Sequence, residues 1–464
     1  YVLSVILALV KDNPVLRGKL AILGIIPRLM RLLSRHNPKR HVFNVFLNAN
    51  KIVLEFLRGG TDNTAGITIA CGGLKSLTYV IALAPKQEYS SLVFEAIDLV
   101  IHVLKINKGI SKNDACRLMS EDGILPYLSS ACACFVRATT QNDLAYANKV
   151  IEILGKFANG HAVVKRFVAC QGVLTHIVGI LGSTDDGNAT GSNLLKIHKK
   201  LLQIIRTLVM ESSILDQMQE SNIVAILVPF MKSPVHRNVI LLILFYLTRL
   251  SSKRQVIAAK AGLVPLLQNV IDRNDPLKQT ALQIFCDMAH ASDVTRQILW
   301  DHGGVERFLG LLTDRYWFHA SLVSLSKWLS NDKKKRLEKV LAERANLNLI
   351  VIMFKNTKGS DFENSLGPFR ELIYKGNKLN RAIGMDGSFV EELMRRISVN
   401  NKAMVRFTLL KLLKSIFEQH QYKKKLLSDH QLVVRIQQLV DDEEMVLVNE
   451  MATQLLALFA KVKK

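Results

Sequence analysis

The chain is poor in residues that interrupt or staple a fold. Its 464 residues include 10 prolines and 6 cysteines, leaving long intervals free of helix breakers and no framework of the kind that ties small secreted domains together. Cys71, Cys116, Cys132, Cys134, Cys170 and Cys286 all fall in apolar, helix-patterned stretches. Cys132-Ala-Cys134 lacks the second pair or histidine cluster that a zinc site needs, so no metal is expected. These thiols read as buried small hydrophobes in a reducing compartment. Acidic residues are also in short supply, 39 against 62 lysines and arginines, a net of +23. That excess bears on partners: it suits an acidic protein, nucleic acid or an anionic membrane surface.

Long hydrophobic runs are missing too. Tyr1-Val-Leu-Ser-Val-Ile-Leu-Ala-Leu-Val10 is too short to cross a bilayer, and Lys11-Asp12 follows at once. Without a basic leading region it does not read as a signal peptide; it reads as the last helix of a repeat that began upstream. Phosphate-binding glycine loops, kinase signatures, a nucleophile elbow and a His-Glu-x-x-His zinc motif are all absent from the sequence. No catalytic residue and no cofactor are expected.

What the chain does contain is a repeat. Met288–Leu329 shows it best: a short helix to Trp300, a stop at Asp301-His-Gly-Gly304, a middle helix, a polar turn at Thr313-Asp-Arg315 and a longer helix. Glycine ends a helix readily because it enters the left-handed region without a Cβ penalty. The same junction recurs at Gly24, Gly72, Gly123, Gly172, Asn222, Gly262, Gly303, Asn346, Gly387 and, more weakly, Gln431, at spacings of about 40 to 50 residues. Self-similarity at that period is the signature of armadillo or HEAT repeats. The expected fold is therefore all-α, an armadillo/HEAT-type right-handed solenoid of about ten repeats over residues 1–464. Residues 1–33 would supply the N-terminal helices of a truncated repeat and residues 421–464 a C-terminal capping repeat.

The polar cluster Gly182-Ser-Thr-Asp-Asp-Gly-Asn-Ala-Thr-Gly-Ser192 reads as an exposed loop, and its Asn188-Ala-Thr190 as a chance match to a glycosylation pattern. Arg35-His-Asn-Pro-Lys-Arg-His41, Asn331-Asp-Lys-Lys-Lys-Arg336 and Tyr422-Lys-Lys-Lys425 are basic turns; the last two suit the negative ends of helix dipoles. Trp300, Trp317 and Trp328 read as core.

Solenoids bind partners on the face lined by their long helices. Residues four apart share a helix face. This places Glu152/Lys156, Gln203/Thr207, Phe245/Arg249, Gln283/Asp287, Val323/Lys327 and Lys411/Ser415 toward a groove. Lys156, Phe245, Arg249, Lys327 and Lys411 are the candidate partner-binding residues, the four cations forming a basic ladder.

Four stretches in order carry a resemblance. Ser111-Lys-Asn-Asp-Ala-Cys-Arg-Leu118 leads to Asp122-Gly-Ile-Leu-Pro-Tyr-Leu128. His302–Leu312 follows with Asp314-Arg-Tyr-Trp317, then Leu409–Lys414 with Glu418-Gln-His420, and last Val446–Leu456. From about residue 111 onward the chain resembles the C-terminal repeats of septation-initiation kinases, the group of MAP kinase kinase kinase epsilon and its fungal relatives among STE-type kinases. Residues 1–110 match poorly. The resemblance implies a non-catalytic region of a serine/threonine kinase acting in mitotic exit and cytokinesis. It also implies recruitment by a Ras-like small GTPase and targeting to the spindle pole body; the basic groove adds the expectation of docking that GTPase in its GTP-bound form, or an acidic or phosphorylated scaffold, in the cytoplasm or on the cytoskeleton. The competing readings are a nucleic-acid-binding solenoid, disfavoured because no one-base-per-repeat pattern is visible, and self-association as a homodimer.

Overall fold

The computed structural model describes residues 1–35, 43–59, 63–105, 110–138, 140–182, 191–273, 276–399, 402–442 and 445–463. Its described residues form α-helices and two short 3-10 turns, with no strand among them. Helix Val2–Lys11 is followed by ten triplets, each of two shorter helices and a third that is usually the longest. This is the all-α helical repeat that the junction spacing predicts. The chain divides into two compact units, Tyr1–Leu247 and Thr248–Lys464.

Local chemistry explains many of the breaks. Several first helices open on side-chain caps: Asn13 Oδ1 accepts from Leu16 N at 2.9 Å, Ser111 Oγ from Asp114 N at 3.1 Å, and Ser292 Oγ from Thr295 N at 3.2 Å. Thr140 does the same for a third helix, accepting from Asp143 N at 3.1 Å, and that helix begins at Gln141. Between first and second helices the backbone turns left-handed at Gly24, Gly72, Gly123, Gly172, Asn222, Gly262, Gly303 and Gln431. Gly303-Gly304 shows two separate requirements. Gly303 has φ +69°, whereas Gly304 is needed for space: a Cβ there would lie 2.7 Å from the carbonyl oxygen of Leu299.

Two expected junctions are built differently. Asn346 lies inside helix Arg344–Asn356, its side chain donating to the carbonyl oxygen of Val340 at 2.9 Å. Gly387 begins helix Gly387–Val399, where Asp386 Oδ1 accepts from Phe389 N at 2.9 Å. A side-chain bond does in both places what left-handed backbone does elsewhere.

In the first unit, Val2–Lys11 packs on Phe43–Leu57, and third helices then follow in order through Ser90–Val103, Gln141–Ala158 and Gly191–Val209. Its first core layer joins Val10, Ile26, Leu29, Phe46, Ile52 and Phe56, all buried. In the second unit the corresponding row is Lys278–Ala289, Phe318–Ser330, Gly359–Lys375, Ala403–Gln419 and Val446–Lys463. Aromatic rings fill its interior: Phe308 lies 5.1 Å from Phe285 and 6.2 Å from Trp328, and Phe417 lies 4.7 Å from Phe459. Trp328 is buried, as expected, while Trp300 and Trp317 are half-buried.

Among the described residues no single helix is long and apolar enough to cross a membrane. The pairs that reach such a length jointly, Thr64–Ala70 with Lys75–Ile81 and Ala162–Cys170 with Val173–Leu181, are bent first and second helices of repeats. Residues 36–41 of the first basic turn and residues 183–190 of the polar cluster, including Asn188-Ala-Thr190, lie outside the described residues.

Candidate partner-binding surface

Within each unit the third helices form a row, and the candidate residues along it have distinct environments. Lys156, on Gln141–Ala158, is half-buried. Desolvation holds its ammonium below the ordinary lysine range, Lys112 and Lys105 push it the same way, and Glu152 opposes them. Three lysines thus share one neighbourhood. Phe245, also in the first unit, is half-buried with its ring 5.5 Å from that of Tyr246.

The second unit brings Arg249 and Lys327 to one local network. Arg249 is exposed and stabilises the ionised form of Asp287; Lys327 is exposed and disfavours protonation of His290. Asp287 accepts from Gln283 Nε2 at 2.9 Å, and His290 Nε2 lies 3.4 Å from Ser324 Oγ. Burial is the largest influence on the Asp287 carboxyl, holding it above the usual carboxylate range against the pull of Gln283, His290 and Arg249. The Gln283/Asp287 rung therefore spends its polar groups internally, between two exposed cations.

Lys411 is half-buried with Nζ 4.1 Å from the centroid of the Phe407 ring, and its backbone carbonyl accepts from Tyr374 Oη at 3.1 Å. Ser415, expected to share its open face, instead accepts from Asn380 Nδ2 at 2.9 Å. Asn380 belongs to helix Asn377–Gly384, so this end of the rung packs against another element of its unit.

Two groups escaped the sequence reading. Phe94 and Tyr146 stack at 3.9 Å, Lys149 Nζ lies 4.1 Å from the Tyr146 ring, and Asp98 receives bonds from both Tyr146 Oη and Lys149. This cluster ties Ser90–Val103 to Gln141–Ala158. The second is a capping set. Arg17 donates to the carbonyls of Val10 and Lys11, Gln255 to that of Thr248, Arg296 to that of Ala289, and Arg396 to those of Lys355 and Thr357. Each donates to carbonyls at or just past a helix end, where intrahelical donors run out. For Arg17, Gln255 and Arg296 the donor lies 7 residues past an acceptor, a recurrence that could have been found in the sequence.

The basic turn at Asn331–Arg336 does more than neutralise a helix end. Arg336 sits 4.8 Å from the Trp300 ring and donates to Gln297 Oε1 at 2.6 Å, while Asp332 Oδ2 accepts from Leu337 N at 2.7 Å. Among the cysteines, burial pushes the Cys116 thiol up to about 11 and those of Cys132 and Cys286 up to about 12, which makes them poor nucleophiles. Cys170 departs from expectation and is exposed. It lies at the end of Ala162–Cys170, one residue short of the helix-ending turn at Gln171-Gly172, where its side chain faces outward.

Stacked helical triplets with exposed side chains along the third helices define an all-α repeat protein of the armadillo class. No family model matches the chain. Curated proteins do: it is 28% identical over 386 residues to MAP3K epsilon protein kinase 2 of Arabidopsis thaliana, covering 79% of this chain and 27% of that protein. It is 27% identical over 466 residues to cytokinesis protein sepH of Emericella nidulans, covering 98% of this chain and 33% of that protein. It is also 24% identical over 458 residues to cell division control protein 7 of Schizosaccharomyces pombe, covering 96% and 41%. The chain belongs to the family of the MAP3K epsilon protein kinases and cytokinesis protein sepH, and it spans about a third of the length of these relatives. The likeness to sepH covers 98% of the chain, so it extends into residues before 111, where the sequence motifs carry no resemblance. A crystal structure of an engineered protein superposes with a TM-score of 0.54 at 16% identity, covering 94% of this chain and 98% of that one, a likeness of fold.

Proposed function

We propose that this region is a non-catalytic recognition module of a septation-type signalling kinase. It docks a GTP-bound Ras-like small GTPase or an acidic scaffold segment and so recruits the kinase to its place of action at the spindle pole. The observation that carries the reading is the pairing of exposed Arg249 and Lys327 around an internally bonded Asp287, in a chain of net charge +23. Two exposed cations beside an internally bonded Asp287 suit an acidic partner, and attraction of that kind speeds association and weakens with salt. Membership of a family that includes a cytokinesis protein supports the cellular setting. Lys156 with Lys105 and Lys112 offers a separate basic patch in the first unit.

The test is binding to a Ras-like GTPase loaded with GTP or GDP at two salt concentrations. GTP-selective binding that Arg249→Glu and Lys327→Glu each weaken by about tenfold supports the docking surface. Nucleotide-selective binding indifferent to both changes moves the site elsewhere. No binding in either state removes the GTPase and leaves acidic or phosphorylated scaffold peptides.

A further inference from the structure

The first unit contains a cavity of about 640 Å³ between the second and third helices of its last two triplets. Its walls are mostly apolar, from Leu181, Leu195, Ile226 and Phe230, and two histidines line it as well. His198 is buried, and its Nε2 lies 3.2 Å from the carbonyl oxygen of Ile180, a group that only accepts, so that nitrogen carries the proton. Its ring meets Phe230 edge-on at 5.9 Å.

His236 is different. It is 2% exposed, and its Nε2 has no hydrogen-bond partner among the described residues. A buried polar atom left unpaired costs stability that a ligand atom can return. The mouth of the cavity reaches the surface at Leu195, which is 43% exposed, and at Pro229. Lys196, Lys199 and Lys232 stand exposed around it.

We propose that this cavity receives a tyrosine side chain presented by an acidic segment of a partner protein, with the phenol hydroxyl bonded to His236 Nε2. A hydroxyl both donates and accepts, so it satisfies that nitrogen in either tautomer, which an indole N–H cannot do. Burial, and then the charge of Lys199, lowers the His236 ring below the ordinary histidine range, which favours the neutral imidazole. The apolar walls and the edge-on His198–Phe230 pair accept the ring, and the lysines select acidic residues on either side of it. The site stands on its own observations and is independent of the docking surface proposed above.

The experiment uses the full chain labelled with 13C at histidine Cε1. The probes are the capped peptide Glu-Asp-Tyr-Asp-Glu, its phenylalanine counterpart, and p-cresol. The expected result is a saturable shift of the His236 resonance by the tyrosine peptide and by p-cresol, with the phenylalanine peptide binding about tenfold more weakly. His236→Phe should erase the difference between the two peptides. Lys232→Glu should weaken both peptides and leave p-cresol unchanged. Leu195→Trp, at the half-open mouth, should block all three while leaving His236 in place, which guards against a His236 variant that fails to fold. Equal affinity for the two peptides, no saturable shift with p-cresol at millimolar concentration, or binding unaffected by His236→Phe would overturn the proposal. Binding of p-cresol without either peptide would also overturn it, because the cavity would then serve a small phenol and not a protein anchor.

Discussion

Arg296 Nη1 donates to the carbonyl oxygen of Ala289 at 3.2 Å, and this bond closes the end of helix Lys278–Ala289 from the helix that follows it. The guanidinium is nearly buried, with Asp293 as its second partner. Arg296→Ala leaves a helix-end carbonyl without a donor and should cost about 1–3 kcal/mol, read as a lowered urea midpoint. Asp293→Asn should cost less than about 0.5 kcal/mol, because that carboxylate is mostly in water. Equal effects would mean that the ion pair, not the cap, is what matters.

Two glutamates should give opposite pH dependences. Burial raises the Glu55 carboxyl above its ordinary value despite Arg58 and Arg17, so the folded state holds that proton more tightly than the unfolded one. Its contribution to stability is present below the unfolded value of about 4.5 and is lost as pH rises through the higher folded value. Hydrogen bonds from Arg395, and then from Arg396, lower Glu392, whose contribution is present above about 4.5 and is lost as pH falls through the lower folded value. In urea titrations from pH 3 to 7, Glu55→Gln should lose stability least at the high end, and Glu392→Gln should lose it most there.

Phe308 is fully buried between Phe285 and Trp328. Phe308→Ala should cost about 3–5 kcal/mol through lost burial and the cavity left behind. The check is the thermal midpoint followed by tryptophan fluorescence, since Trp328 lies at the wound.

At Gln431 a non-glycine side chain sits at φ +49°. Replacement by glycine relieves the left-handed strain but adds freedom to the unfolded chain, so Gln431→Gly should stabilise by about 0.5–1 kcal/mol. Gly262→Val, at φ +89°, should destabilise by more than that. A stabilising Gly262→Val would show that the junction is not held left-handed in solution.

The repeat was readable because its joints obey a backbone rule that operates within a few residues. Gly24 through Gly303 could be found by eye, and so could Asn222. Asn346 misled because its amide reaches back to the Val340 carbonyl, a local alternative that asparagine shares with turn formers. The surface was less legible, because the state of a rung depends on its neighbours. Lys327 could be placed by four-residue spacing, but the bond from Asn380 that occupies Ser415 comes from 35 residues away. The raised Asp287 carboxyl likewise depends on burial within its unit, and Tyr146 on Asp98 in the preceding repeat. The orphaned nitrogen of His236 has no sequence signature at all.

Bonds between neighbouring repeats join residues as close as 34 apart, at His290–Ser324, and as far as 52 apart, at Asn148–Lys200. The stacking therefore sets no fixed repeat length; the surplus is taken up between helices, where loop closure is only weakly sensitive to length. An insertion at one joint is absorbed there and does not shift the register of later repeats. Lineages can lengthen or trim single repeats while each preserved rung still meets its neighbour, so divergence in this chain should accumulate first as changes of length at the joints and only later as changes of the bonded pairs.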